Sequence, residues 1–347
     1  KLNLRKNTLF VSTMTNLELR HENLFSFSYL INVILVFFIF FSSCKRENSN
    51  EENIQSIPID LTFERFDLKF YNQTPDVIPE LKKKYPFLFP KQFSDSVWIK
   101  RQNDSLQLLL QDAVIKVYKD IKPLERKVSN LFKYIKYYFP LTKTPQVITL
   151  TNNVDYQIKT VYSDSLLLIS LDTFLGSDHV LYQGIPNYIR KELDEKYIIS
   201  QIADKFSAFS IPPSEDRTFL AQMIYEGKKL FLQDLIIPHE KDAIKIAYND
   251  NELNWVIENE IYIWQFFIEK QLLYDTNAEW VERFIDPAPF SKFYLKLDNE
   301  SPGRIGRWIG WQIVRSFHKQ EPGIALKKLL KMPAQELFNQ SKYKPKH

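Results

Sequence analysis

The chain has 347 residues, with 46 Lys and Arg against 42 Asp and Glu, a formal net charge of +4, and a hydrophobic fraction of 44%. This near-neutral balance, without a basic cluster interleaved with aromatic residues, argues against nucleic acid as a partner. The single cysteine, Cys44, rules out an intramolecular disulfide and a cysteine-based zinc site, so the hydrophobic core must hold the body together. Seven glycines are few for a barrel, a propeller or a glycine-rich phosphate loop.

The N-terminal segment predicts a lipoprotein signal. An apolar run over residues 24–41 ends in two serines directly before Cys44, and polar, charged residues follow. An apolar run that ends in small residues is typical of secretory signals, and a cysteine directly after them is the residue that lipoprotein processing acylates. We therefore predict that residues 1–43 are a signal peptide and that Cys44 becomes the lipidated N-terminus of the mature chain.

Two points in this segment stay open. The apolar run is just long enough for a membrane-spanning helix, and basic residues stand on both of its sides, so charge does not decide between anchor and signal. Three residues before the cysteine stands Phe41, where lipoprotein signals usually carry Leu. The translation start is also open, because the chain begins with Lys1 and its first Met is Met14.

The polar segment 44–57 has almost nothing to bury, which predicts a tether between the lipid and the body. We expect one globular domain over residues 58–347. Its first predicted strand covers 59–66, where apolar and polar residues alternate, and a proline-containing loop follows. Helical spacing of apolar residues then predicts helices over 105–119 and 124–138. The apolar stripe predicted for the first of these helices contains Leu106, Leu109, Leu110, Ala113, Val114 and Val117.

The middle of the chain is rich in β-strand signals, and the rest is helical. Three short apolar segments bounded by turn residues predict a small sheet with hairpin turns, at 145–150, 156–162 and 166–171. Helical patterns predict helices over 188–207, 215–235, 252–272, 303–317, 324–330 and 334–339. A few strands followed by many helices indicate an α+β fold that is predominantly helical with a small sheet.

The sequence carries no standard hydrolase motif. A zinc peptidase of the HExxH type needs two histidines at i and i+4, and no such pair exists; a GxSxG nucleophile motif is also absent. We predict ordinary surface or hydrogen-bonding roles for His179, His239, His318 and His347. Glu258 and Glu260, near the start of a predicted helix, are expected on its solvated side, where acidic groups favour the helix dipole.

The most distinctive stretch covers residues 298–315. Gly306 and Gly310 stand four residues apart, so their missing side chains allow a neighbouring helix to approach closely. One interpretation is a groove with a glycine floor and walls formed by Arg304, Trp308 and Trp311.

The simpler interpretation of this stretch is a helix packed in the core. Asn299 or Ser301 would then cap the helix, and its arginines would form ion pairs with neighbouring carboxylates. We favour this interpretation, and both remain open at the sequence level.

Several segments resemble the gliding motility lipoprotein family GldB of Bacteroidota. The matching segments are Phe-Ser-Ser-Cys at 41–44, Tyr-Tyr-Phe-Pro at 137–140, Pro-Gln-Val-Ile-Thr at 145–149, Met-Ile-Tyr-Glu-Gly-Lys at 223–228, Pro-Ala-Pro-Phe at 287–290 and Glu-Ser-Pro-Gly-Arg-Ile-Gly at 300–306. The resemblance covers essentially the whole mature chain. It implies a lipoprotein of the cell envelope that is required for gliding, a motility coupled in these bacteria to the type IX secretion machinery. We expect a chain that is anchored in the membrane by its lipid and faces the periplasm; whether the inner or the outer membrane holds it, and whether it is exposed at the cell surface, stay open at the sequence level.

A second resemblance is to zinc-peptidase domains of the gluzincin kind. Glu226 with Gly227 resembles their ligand segment, and residues 302–310 resemble their terminal glycine-rich aromatic motif. The zinc helix departs from the pattern, because its expected place, residues 198–206, contains no histidine. The resemblance therefore implies a degenerate peptidase fold without the chemistry.

Three functions follow from these observations. The leading hypothesis is a non-enzymatic gliding component without a cofactor, which binds other envelope proteins of the machinery. The alternatives are a metal-dependent peptidase with unorthodox ligands such as Asp204 and Glu226, or a binder of peptides or glycans in the former peptidase cleft. The candidate cleft and interaction residues are Glu226, Arg304, Trp308 and Trp311.

Overall fold

The computed structural model describes residues 50–71, 77–294 and 298–345. The predicted signal peptide and Cys44 lie outside them. Contacts divide the chain into two units, Lys1–Ile57 and Pro58–His347. Of the first unit, residues 50–57 are described, and residues 50–55 are helical. No helix in the described part of the chain combines the length and apolar character needed to span a membrane.

The described residues of the second unit form a mixed sheet of four strands, which agrees with the α+β prediction. The strands are β1 (Phe63–Arg65), β2 (Gln146–Leu150), β3 (Thr160–Ser163) and β4 (Leu166–Ser170), in the spatial order β1-β2-β4-β3. β3 and β4 form the predicted antiparallel hairpin. β2 instead pairs in parallel with both β1 and β4. The loop at 151–159 keeps the chain at the edge where β2 ends, and the antiparallel β3 then returns it to the edge where β2 and β4 begin.

Between β1 and β2, the described residues form five α-helices. They are α1 (Phe66–Tyr71), α2 (Ile78–Lys84), α3 (Asp95–Gln102), α4 (Ser105–Val117) and α5 (Lys122–Tyr138). Helices α2 and α3 lie in or after the segment predicted as a proline-containing loop. Pro79 occupies the first turn of α2, where a backbone N–H has no helical partner and its absence costs nothing.

The predicted apolar stripe of α4 is only partly buried. Its buried members are Leu110, Ala113 and Val114, and its exposed members are Leu106, Leu109 and Val117. Gln107 and Gln111 are buried instead. Gln107 accepts a hydrogen bond of 2.9 Å from the hydroxyl of Tyr71, at the end of α1. Polar packing against α1 therefore rotates the helix away from the orientation that hydrophobicity alone predicts.

After the sheet, ten α-helices occur in the described ranges 171–294 and 298–345. They are α6 (Asn187–Arg190), α7 (Ile198–Ser210), α8 (Phe219–Ile236), α9 (Asp242–Ile246), α10 (Asp250–Glu258), α11 (Glu260–Glu269), α12 (Glu279–Phe284), α13 (Ile305–Gln320), α14 (Leu326–Lys331) and α15 (Ala334–Ser341). Two predicted long helices are each divided into two. The predicted helix at 188–207 is interrupted where Asp194 caps a short turn by accepting a hydrogen bond from the backbone of Lys196. The predicted helix at 252–272 is interrupted at Asn259.

Helices α8 and α13 cross with their backbones in close contact at Gly227 and Gly310. A Cβ atom added to Gly310 would lie 1.8 Å from the carbonyl oxygen of Met223, and one added to Gly227 would lie 2.3 Å from the carbonyl carbon of Gly310. A Cβ atom added to Gly306 would lie 3.0 Å from the carbonyl oxygen of Phe284, in α12. The prediction that Gly306 and Gly310 permit close packing is confirmed.

Candidate functional site

A charged pocket lies where α7, α8, α9, the start of α13 and the loop before β3 meet. Its volume is about 300 Å³. Seven charged residues line it: Lys159, Glu192, Asp204, Glu226, Lys245, Arg304 and Arg307. Two of the predicted cleft residues, Glu226 and Arg304, are therefore brought together in one cavity.

The first ion-pair group in the pocket is built around Glu192, in the turn after α6. One carboxylate oxygen contacts the Arg304 guanidinium at 2.5 Å, and the other contacts the Lys159 ammonium at 2.9 Å. Burial raises the pKa of this carboxyl, but the Arg304 and Lys159 charges outweigh burial and lower it to about 2. The buried carboxylate is therefore ionised at neutral pH.

The second ion-pair group joins α7, α8 and α13. The Lys229 ammonium lies 3.0 Å from the Asp204 carboxylate and 3.1 Å from that of Glu226, and Arg307 contacts Glu226 at 3.4 Å. Burial acts to raise the pKa of Asp204, but the charges of Lys229 and Arg307 lower it overall. Two cations and two carboxylates thus neutralise one another.

The loop before β3, which carries Lys159, is held by a buried aspartate. Asp172 accepts hydrogen bonds from the backbone N–H groups of Asn152 and Val154, at 3.0 and 2.9 Å. Burial raises its pKa to about 6 although these hydrogen bonds act in the opposite direction. Asn153 and Val154 both have positive φ, 67° and 55°. This conformation is unusual for a β-branched residue such as Val154. The aspartate thus holds a strained loop that forms one wall of the pocket.

Arg304 occupies the N-cap of α13 with φ of 63°, in the left-handed region. Neither Asn299 nor Ser301 caps this helix, because its N-cap has no side-chain hydrogen bond. Gly303 precedes Arg304, and a Cβ there would lie 2.6 Å from the carbonyl oxygen of Ala288. The backbone at Gly303 and Arg304 is therefore tightly constrained, which fixes the position of Arg304 in the pocket wall.

The two tryptophans lie in the packed interior and do not line this pocket. The indole N–H of Trp308 donates to Glu260 and that of Trp311 donates to Asp234, both at 2.9 Å. Arg315 stacks on Trp311, 3.7 Å from the ring centre, and also pairs with Asp234. The tryptophans and arginines of α13 therefore agree with the interpretation of a helix packed in the core, with its arginines paired to carboxylates.

The prediction for Glu260 was wrong. This side chain is buried, where it accepts hydrogen bonds from the Trp308 indole and from the Tyr343 hydroxyl, both at 2.9 Å. Its position near a helix start predicted solvent exposure, but the tertiary contacts with α13 and the C-terminal residues cover it. Glu258, the last residue of α10, is exposed as expected.

The predicted hydrogen-bonding role holds for His239 and His179, whereas the Nδ1 of His318 is buried without a hydrogen-bond partner. The ring of His239 hydrogen-bonds the Tyr134 hydroxyl at 2.9 Å, His179 accepts a hydrogen bond from the backbone of Leu181, and His318 packs against Phe231. His347 lies outside the described residues. Within the described ranges, no group of three or more His, Cys, Asp or Glu side chains is arranged to hold a metal ion.

Sequence reasoning missed most of the residues that pair with the predicted ones. Lys159 and Glu192 carry no local signal, because each is an isolated charge in ordinary sequence. Arg307 could have been suggested by the expectation that arginines near Gly306 pair with carboxylates, but its partner Glu226 lies on another helix. Lys229 pairs with Glu226 on its own helix and with Asp204 on α7.

The fold and this pocket define a predominantly helical α+β protein with a polar cavity that is lined by ion-paired residues. The chain belongs to the family described as gliding motility protein GldB, whose family model matches residues 47–345. No curated protein and no solved structure matches the chain. The family is that of the predicted resemblance, whereas the likeness to gluzincin peptidases stays a prediction.

Proposed function

We propose that this chain is a lipid-anchored component of the cell envelope that supports gliding without catalysing a reaction, in association with the type IX secretion machinery. Family membership over residues 47–345 supports the role in gliding. The observation that carries the non-enzymatic part is the pairing of Asp204 and Glu226 with Lys229 and Arg307.

This pairing makes the two carboxylates poor catalysts and poor metal ligands. A general acid at neutral pH needs a raised pKa, whereas the neighbouring cations lower the pKa of Asp204. A zinc ion would have to displace the Lys229 ammonium, whose side chain is only 9% exposed, from both carboxylates. The ammonium thus occupies the position between Asp204 and Glu226 that a metal would need.

Metal analysis of the purified full chain tests this proposal against the peptidase alternative. After incubation with excess zinc and desalting, we expect no stoichiometric zinc in the wild type or in Glu226→Ala. A zinc content near one per chain that is lost in Glu226→Ala, but kept in the exposed control Glu195→Ala, would establish the metal-dependent alternative.

The lipid anchor is tested at Cys44. Cys44→Ser removes the acylated thiol, so we expect the chain to leave the membrane fraction, because the acyl chains provide the binding energy. Ser43→Ala is the matched control and should remain membrane-bound. Full membrane retention of the Cys44→Ser variant would contradict lipidation and favour a membrane-spanning anchor at residues 24–41.

A further inference from the structure

Arg304 has a donor that the fold does not use. The residue is 8% exposed, and its two terminal nitrogens are occupied by the carbonyl oxygen of Ile246 and by Glu192. Its Nε is buried and has no hydrogen-bond partner. An unpaired buried N–H of a charged group is costly, so native structures rarely keep one without a reason.

The backbone at Arg304 is also unfavourable. A non-glycine residue with φ of 63° costs energy, and such conformations cluster at functional sites. Arg304 therefore combines a strained backbone and an unpaired buried donor, and its guanidinium belongs to a residue that lines the pocket.

The corner formed by Lys159 and Arg304 carries an excess of positive charge. Within the described ranges, the one carboxylate that forms an ion pair with either cation is that of Glu192. The Lys159 ammonium makes one hydrogen bond, to Glu192, and has further N–H donors. The other pocket cations are balanced, since Lys245 pairs with Asp234 at 2.9 Å and Arg307 belongs to the neutral second group.

We propose that this corner binds the carboxylate of a small ligand through the Arg304 guanidinium and the Lys159 ammonium. Two cations in direct contact with a single carboxylate match a monoanion, whereas a phosphate dianion would leave uncompensated negative charge beside Asp204 and Glu226. The half-buried rings of Tyr156 and Tyr188 line the pocket and provide apolar contact for the rest of the ligand.

The volume of about 300 Å³ suits a ligand no larger than a short peptide end or a single sugar. A carboxylate of this size is available from the C-terminus of a peptide or from an acidic sugar. This inference goes beyond the proposed function, because a ligand at this corner depends neither on lipidation nor on a role in gliding.

Calorimetric titration of the full chain in detergent tests the proposal with two matched pairs of probes. They are N-acetyl-alanyl-alanine against its C-terminal amide, and glucuronate against glucose. We expect at least one acid to bind about tenfold or more tightly than its neutral partner, because only the acid pairs with the Lys159 and Arg304 cations. Equal binding within both pairs, or no binding of either acid up to about 10 mM, would overturn the proposal.

Substitution of Lys159 tests whether the corner formed by Lys159 and Arg304 is the binding site. Lys159→Gln should weaken binding of the preferred acid about tenfold, whereas Lys127→Gln, which removes a lysine from an exposed ion pair with Glu195 outside the pocket, should leave it unchanged. Unchanged binding by a folded Lys159→Gln variant would contradict the assignment. If circular dichroism shows that this variant does not fold, the comparison of acid with neutral probe on the wild type decides.

Discussion

Replacing Gly310 by Ala is expected to destabilise the folded chain by about 3 kcal/mol or more. The added Cβ would lie 1.8 Å from the carbonyl oxygen of Met223 and 2.4 Å from its carbonyl carbon. Both are backbone atoms of α8, so relief requires the two central helices to separate. This cost exceeds the gain of about 1 kcal/mol that alanine brings to a helix interior. Urea denaturation monitored by circular dichroism measures the change.

Gly323→Ala is the matched control for this prediction. A Cβ at Gly323 would have no neighbour within 4 Å, so the free energy of unfolding should change by no more than about 0.5 kcal/mol. Gly227→Ala, on the other side of the crossing, should be destabilised as Gly310→Ala is. An unfolding midpoint of Gly310→Ala equal to that of the wild type would show that the helices do not cross at these glycines.

Replacing Glu192 by Gln is expected to destabilise the chain by about 3 to 5 kcal/mol at neutral pH. The variant loses the one carboxylate that pairs with Arg304 and Lys159, and leaves both cations in a largely buried environment. The matched control is Glu195→Gln, whose partner Lys127 is exposed, and which should cost about 0.5 kcal/mol or less. The free energy of unfolding of each variant at pH 7 provides the measurement.

The same carboxyl predicts a pH dependence. The folded chain lowers the pKa of Glu192 from 4.5 to about 2, so the folded state favours the ionised form. Its stabilising contribution is present above pH 4.5 and is lost as the pH falls from 4.5 towards 2. The difference in unfolding free energy between wild type and Glu192→Gln should therefore shrink across this interval. A difference that stays constant from pH 6 to pH 2.5 would contradict the ionised pair.

The spacing of apolar and turn residues along one segment predicted those helices and strands that depend mainly on interactions within that segment. The hairpin of β3 and β4 followed from short apolar segments separated by turn residues, and α8 and α13 followed from helical spacing over long stretches. It failed at α4, where Leu106 and Leu109 are exposed while Gln107 is buried against Tyr71. Hydrophobicity alone ranks leucine as the buried residue, but a hydrogen-bonded glutamine competes when a polar neighbour is present.

By itself the sequence determined the α+β class, the family, the glycine spacing that permits the helix crossing, and three of the pocket residues, Asp204, Glu226 and Arg304. Only the tertiary structure decided which charges meet. Lys159, Glu192 and Arg304 come from three distant parts of the chain, and each is an ordinary charged residue in its own segment. Ion pairing depends on distances of a few ångströms between elements, which periodicity and spacing along one segment do not contain.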